Sequence, residues 1–289
     1  MTKNKNLNTP ITIDCNSKLL DLSTPAIMGI LNLTNDSFYD GGQHNSIKKA
    51  LLQTEKMLDD GAKIIDIGAY SSRPKAKHIS LDEEWRRLEK TLQIINKEFP
   101  QAIVSVDTFR SEIARRSVDN GADLINDISA GNLDLEMFDT VAELHVPYII
   151  MHMQGQPTTM QDKPHYDFAP VDVYQFLEER IEVAVAAGIA KSHIAIDPGF
   201  GFGKTAEQNF ELLARLEVLC NQDQPILVGL SRKSMISAVL DRPPEQRMVA
   251  SVALALMAVE RGARIVRVHD VAATFDALSM WQTTRHALS

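Results

Sequence analysis

Along the chain, short runs of β-branched and aliphatic residues alternate with longer stretches whose apolar positions return every three to four residues. The runs are Ala26 to Leu31, Ile64 to Ile67, Ile103 to Val106, Leu124 to Ile125, Tyr148 to Met151, Ile194 to Ile196, Ile226 to Val228 and Ile265 to Val268. Each is too short for a helix and reads as a strand. Between them, Ile47, Leu51, Met57 and Leu58, and then Trp85, Leu88, Leu92 and Ile95, fall on one face of a helix. Strands that are apolar almost without interruption belong to a parallel sheet covered on both faces. Eight of them alternating with helices predict an α/β fold, a closed (β/α)8 TIM barrel. An open doubly wound sheet is the alternative. Ahead of the first unit, ITIDCNSKLLDLST predicts a short N-terminal hairpin over the barrel's bottom, so residues 1–24 read as an extension of one barrel domain.

Composition narrows the function classes. With 289 residues, 44% hydrophobic and 24% charged, the chain is long enough to bury a full core as a soluble globular protein. A net charge of −8 without a basic run speaks against nucleic-acid binding. No segment reaches the ~18 apolar residues of a membrane span, and MTKNKNLNTP has no apolar stretch, so a cytoplasmic location is expected. Cys15 and Cys220 lack metal-ligand spacing and read as reduced thiols.

In a barrel of this kind the chemistry sits where strands end. The exits read Asn32, Asp66, Asp107, Asn126, His152, Asp197, Lys233 in a longer loop, and Arg267 with His269. Singly, Asp and Asn just after a strand read as helix caps, but together the exits ring one mouth. Asp107, Asn126 and Asp197 suit a flat heterocycle with N–H edges. Lys233, Arg267 and His269 suit an anion, and arginine can grip a phosphate through two N–H groups. After Asn32 the loop LTNDSFYDGG places Asp36 and Asp40 as oxygen donors for a Mg2+ that arrives with substrate phosphates. After Asp66, IGAYSSRPKAKHIS brings Arg73 beside the mouth. Ser234, in GLSRKSMI, reads as the start of a helix, where it serves either as a cap or as a carboxylate site.

DPGFGFGKT, residues 197 to 205, resembles a phosphate loop but misses its spacing. Three residues rather than four separate Gly199 from Gly203, and Pro198 has no N–H to offer. The alternative is a tight strand-to-helix turn that uses its glycines for positive φ, in which Lys204 would be a loop cation with no phosphate to hold.

Taken in order, MGILNLTNDSFYDGG, IIDIGAYSSRP, SVDT, INDI, MHMQG, DPGFGFGK, GLSRKSMI and RVHDV span nearly the whole chain and resemble dihydropteroate synthase, the folate-pathway enzyme. The resemblance implies a homodimeric barrel that joins p-aminobenzoate to 6-hydroxymethyl-7,8-dihydropterin pyrophosphate, with Mg2+ as cofactor. Carried over by motif, the pterin falls to Asp107, Asn126, Asp197 and Lys233, with Met151 and Phe202 lining its slot. Pyrophosphate falls to Asn32, Arg73, Arg267 and His269, and Mg2+ to Asn32 and Asp36. The aminobenzoate falls to Phe38, Ser72, Pro74 and Ser234. The residues implied in catalysis are Asn32, Asp36, Arg73, Lys233, Arg267 and His269. Where many members carry Gly-Gly-Glu-Ser-Thr-Arg-Pro-Gly, this chain reads GAYSSRPK. That departure bears on loop closure, aminobenzoate affinity and the sulfonamide sensitivity the family implies, not on the pterin side. The alternatives are a pterin-binding methyltransferase barrel, which needs no pyrophosphate clamp, and a non-catalytic pterin-binding paralogue.

Overall fold

Strand β3, Ala26–Asn32, begins a barrel that closes when β10, Ala263–Val268, pairs back onto it. This computed structural model describes residues 12–33, 43–71, 78–157, 159–162 and 164–287. Between those two strands, in chain order, lie β4 (Ile64–Gly68), β5 (Ile103–Asp107), β6 (Leu124–Asp127), β7 (Tyr148–Met151), β8 (Ile194–Asp197) and β9 (Ile226–Val228). All eight pair in parallel in that order, so the closed barrel rather than the open sheet is the outcome. Most strands run a residue or two beyond the apolar core that predicted them, because the polar residue at the exit still belongs to the ladder.

The helices pack outside. The first two, α1 (Gln43–Asp59) and α2 (Leu81–Glu98), bury Met57 in one case and Leu88, Leu92 and Ile95 in the other, as their periodicity predicts. Ser80 caps α2, its hydroxyl accepting from the Glu83 N–H at 3.2 Å. The others are α3 (Ser111–Asp119), α4 (Met137–Leu144), α5 (Ala169–Ala186), α6 (Ala206–Ala214), α7 (Met248–Glu260) and α8 (Val271–His286). None of the described helices is long and apolar enough to cross a membrane.

The expected hairpin is present as β1 (Thr12–Cys15) and β2 (Lys18–Asp21), turned by Asn16 and Ser17 with φ of 53° and 69°. Two central residues with positive φ make the turn that matches strand twist. Ile13, Cys15, Leu20 and Leu22 cluster with Met28, Ile64, Ile103, Leu124, Ile149, Ala195, Leu227 and Ile265. The hairpin therefore plugs the barrel bottom. Lys18 fastens it by donating to the Ala102 carbonyl and to Asp123, both at 2.8 Å. Arg264 adds a bond to the Leu22 carbonyl at 2.9 Å. Cys15 and Cys220 are free thiols.

Candidate functional site

Strand side chains alternate between faces, so the bottom layer fixes what lies above it. Two residues on from Ile64, Ile103, Leu124, Ile149, Ala195 and Ile265 come Asp66, Ser105, Asn126, Met151, Asp197 and Arg267. The second layer of the barrel interior is thus mostly polar. Gly68 and Asp107 follow two residues later, at the mouth, where Asn32 ends β3.

The polar layer is wired together. Arg267 donates from Nε to Asp66 at 2.6 Å and from Nη2 to Asp107 at 2.8 Å, and its side chain is 20% exposed. Ser105 Oγ donates to Asp66 at 2.6 Å, and Asn126 Nδ2 approaches it at 3.3 Å. Asp66 was read as a strand exit; it lies instead inside β4, wholly buried, as the inner support of Arg267. Asn32 and Asp107 meet across Gly68, where a Cβ would lie 3.7 Å from both their side-chain oxygens. A larger side chain there would fill the gap between them.

Electrostatics follow from this crowding. Burial raises the Asp107 carboxyl to about 7, against the pull of Arg267 and with Asp66 adding to the rise. Burial also raises Asp197, while Lys233 and the Gly199 N–H, which donates to Asp197 at 2.7 Å, act to lower it. The Lys233 ammonium falls to about 8, chiefly through burial, with Asp197 opposing. Burial works against the Arg267 charge, but Asp66 and Asp107 more than offset it and raise its affinity for the proton.

Lys233 donates to the Phe200 carbonyl and stands 4.6 Å from the centroid of the Phe202 ring. Phe202 packs, with Phe109, on a cluster of Ile128, Met151, Met153 and Met160. An apolar wall therefore faces the polar layer, with Met151 and Phe202 both part of it. His269 Nδ1 lies 3.0 Å from Ser231 Oγ. Arg232, at φ 60°, pairs with Asp270 at 2.6 Å, and Arg247 donates to the carbonyls of Arg232 and Lys233. The SRKS loop is thereby pinned to α7 and to the end of β10.

Behind Asp107 lies a network that sequence reading did not find. Glu84, wholly buried on α2, accepts from Thr108 Oγ1 at 2.8 Å and Arg110 Nη1 at 2.6 Å. Arg110 also binds the Ile79 carbonyl at 2.7 Å and sits 5.5 Å from the Tyr70 ring. Tyr70 stacks edge-on against Phe109 at 5.1 Å, with its hydroxyl 3.2 Å from His78. Tyr70 is thus an aromatic brick beside the apolar wall.

Other expectations are corrected. His152 follows the inward Met151 and so turns away from the mouth; it is buried against Phe176, with Nδ1 2.8 Å from Lys204 Nζ. Lys204 is buried too, not a loop cation in solvent. Ser234 does open a helix, but only the 3-10 turn Ser234–Ala238, where its side chain is exposed and makes no capping bond. Asp36, Phe38, Ser72, Arg73 and Pro74 lie outside the described residues. No group of three or more His, Cys, Asp and Glu among the described residues is placed to hold a metal.

The description of pterin binding enzymes matches residues 28–269. A dihydropteroate synthase of Haemophilus influenzae is 49% identical over 272 residues, covering 94% of this chain and 98% of that protein. The chain belongs to the dihydropteroate synthase family. Its relatives are transferases that condense a pterin with p-aminobenzoate. Among solved structures, Xanthomonas albilineans dihydropteroate synthase with 4-aminobenzoic acid superposes with a TM-score of 0.90 at 44% identity, over 96% of this chain and 99% of that one. The same organism's enzyme in complex with 7,8-dihydropteroate gives 0.86 at 42% identity, over 95% and 98%. Both the order of the motifs and the barrel that carries them are therefore shared with dihydropteroate synthases.

Proposed function

We propose that this chain joins p-aminobenzoate to 6-hydroxymethyl-7,8-dihydropterin pyrophosphate, releasing pyrophosphate and forming 7,8-dihydropteroate. The observation that carries the reading is the juxtaposition, in one barrel interior, of Asp107, Asn126 and Asp197 with Arg267 and Lys233. The acidic and amide groups offer acceptors to the N–H edge of a pterin, and Met151 and Phe202 offer it an apolar face.

Arginine has five N–H donors, of which the pairs with Asp66 and Asp107 use two. The remaining three are available to the diphosphate. In the reaction the bond from the pterin methylene carbon to the diphosphate oxygen breaks, and its electron pair leaves with pyrophosphate. Arg267 and His269, with Arg73, stabilise that growing negative charge. The cation left on the methylene is delocalised into the ring, beside the carboxylate of Asp197. The neutral amine of p-aminobenzoate then forms the new C–N bond and loses a proton to solvent. We assign the aminobenzoate to Phe38, Ser72, Pro74 and Ser234, and keeping water from that side would protect the cation from capture.

For Mg2+, the described residues contribute the Asn32 side-chain oxygen, which lies close to Asp107 across Gly68. A hard oxygen donor with few protein partners suits an ion that keeps its waters and arrives with phosphates. Asn32 and Asp36 would hold it, and bound there it would neutralise diphosphate charge.

We also read the protein as a homodimer. Helix α7, MVASVALALMAVE, is apolar along most of its length, yet Val249 is 70% exposed, and Met257 on α7 and Met280 on α8 are exposed as well. An apolar patch on two helices that pack together is suited to a second copy. Sedimentation should give about twice the 32.1 kDa of one chain, and a single-chain mass at micromolar concentration would refute the dimer. The catalytic reading itself is tested by turnover, as set out at the end of the Discussion.

A further inference from the structure

Lys204 lies near the end of the glycine-rich run that looked like a phosphate loop, and the chemistry above makes no use of it. It is 2% exposed. A lysine ammonium has three donors and no acceptor, and all three are engaged. Nζ donates to the Gly199 carbonyl at 2.9 Å, to the Phe202 carbonyl at 3.2 Å and to His152 Nδ1 at 2.8 Å. Burial, and then the neighbouring Lys204 charge, keep His152 well below the usual imidazole range, so its ring stays neutral and its Nδ1 accepts. Burial likewise weakens the hold of Lys204 on its proton, with Asp197 opposing.

What these three bonds join is significant. Gly199 has φ 67°, and a Cβ there would overlap the His152 carbonyl oxygen, so the loop is pressed onto the end of β7. The Gly199 N–H is the group that donates to Asp197 at 2.7 Å. Phe202 is the ring packed over Lys233 and the Met151 cluster. Tyr166 holds the same loop from outside, donating to the Gly203 carbonyl at 2.7 Å. One ammonium thus fixes the backbone of both the residue that orients Asp197 and the residue that supplies the aromatic wall, and references both to His152.

We propose that Lys204 is a positioning residue for the heterocycle side of the site: buried beneath the loop, it sets Asp197 and Phe202 relative to β7 through His152. The inference rests on the pterin reading above. It separates the two substrates, because among the described residues the hydrogen bonds of Lys204 go to Gly199, Phe202 and His152 and not to Ser234.

The test uses Lys204→Met and His152→Leu in the full chain, with Val259→Ala, a core truncation on α7, as a control for stability loss alone. Lys204→Met should raise KM for the pterin pyrophosphate at least tenfold while KM for p-aminobenzoate changes less than twofold. His152→Leu should shift the same parameter in the same direction, and the double variant should be no worse than Lys204→Met. Val259→Ala should leave both KM values unchanged. Equal rises in both KM values, an unchanged pterin KM, or multiplicative effects in the double variant would overturn the proposal. If Lys204→Met does not fold, His152→Leu, which keeps both carbonyl bonds, decides it by the same KM split. Should the wild-type protein bind no pterin, the functional reading fails on its own. Amide exchange across residues 198–205 in the ligand-free variants still decides whether Lys204 holds the loop: faster exchange supports it, and unchanged exchange sinks it.

Discussion

Arg267→Ala is expected to damage both the fold and the reaction. The side chain spans Asp66, wholly buried, and Asp107. Its removal leaves two crowded carboxylates without their cation, a loss on the order of 3–5 kcal/mol for a broken buried pair. Asp107, already raised by burial, would rise further without the arginine beside it. Loss of a charge donor from the leaving-group side should lower kcat by about 10²–10³-fold. Arg267→Lys separates the two effects. A single ammonium keeps the charge but cannot reproduce a planar fork that reaches two acids, so stability should recover in large part and kcat should not. Denaturant melts and steady-state kinetics on both variants check this. An Arg267→Ala protein as stable as wild type would show that Asp66 and Asp107 do not depend on the arginine.

The second large effect concerns the acceptors. Asp197→Asn replaces a carboxylate that faces Lys233 and the Gly199 N–H with a group that is half donor. Hydrogen bonds to charged groups are worth roughly 1.5–3 kcal/mol, so pterin affinity should fall about 10- to 150-fold in calorimetry. Acid should produce a related loss in the wild type. With its carboxyl raised to about 7, Asp107 is neutral below that pH and ionised above it. A pterin N–H needs the ionised form, so affinity should climb with pH up to about 7 and then level off. The sign for stability is opposite. Because the folded carboxyl binds its proton more tightly than an unfolded aspartate near 3.9, its contribution is fully present below that value and is lost as pH rises through about 7. Pterin affinity independent of pH between 5 and 8, or unaltered in Asp197→Asn, would remove these carboxylates from the binding site.

The barrel was legible because each strand is a compact apolar run and each helix repeats at 3.6, two periods that do not mimic one another. The mouth was legible only in part. Reading exits one by one placed Asp66 at a loop and His152 at the mouth, whereas alternation along each strand puts Asp66 inside, below Asp107, and turns His152 outward from Met151. The same period identifies Ser105 as the residue beneath Asp107, a signal present in IVSVD and not used. Glu84 and Arg110 could not be found this way, since their meeting depends on how α2 packs against the β5 exit. Nor could the burial of Lys204, which is set by the path of a loop whose Gly199, Gly201 and Gly203 all take positive φ. The start of a helix at Ser234 was legible, but not that it is a 3-10 turn ending at Ala238, because a 3-10 turn and an α-helix start alike.

This barrel interior binds a dihydropterin diphosphate and transfers its dihydropterinylmethyl group to an aromatic amine. Purified protein given 6-hydroxymethyl-7,8-dihydropterin pyrophosphate, p-aminobenzoate and Mg2+ tests it directly, with pyrophosphate and 7,8-dihydropteroate followed together. The expected result is their release in equal amounts, with turnover lost in Arg267→Ala. Pterin binding without release of either product would contradict it and leave a pterin-binding protein that is not a synthase.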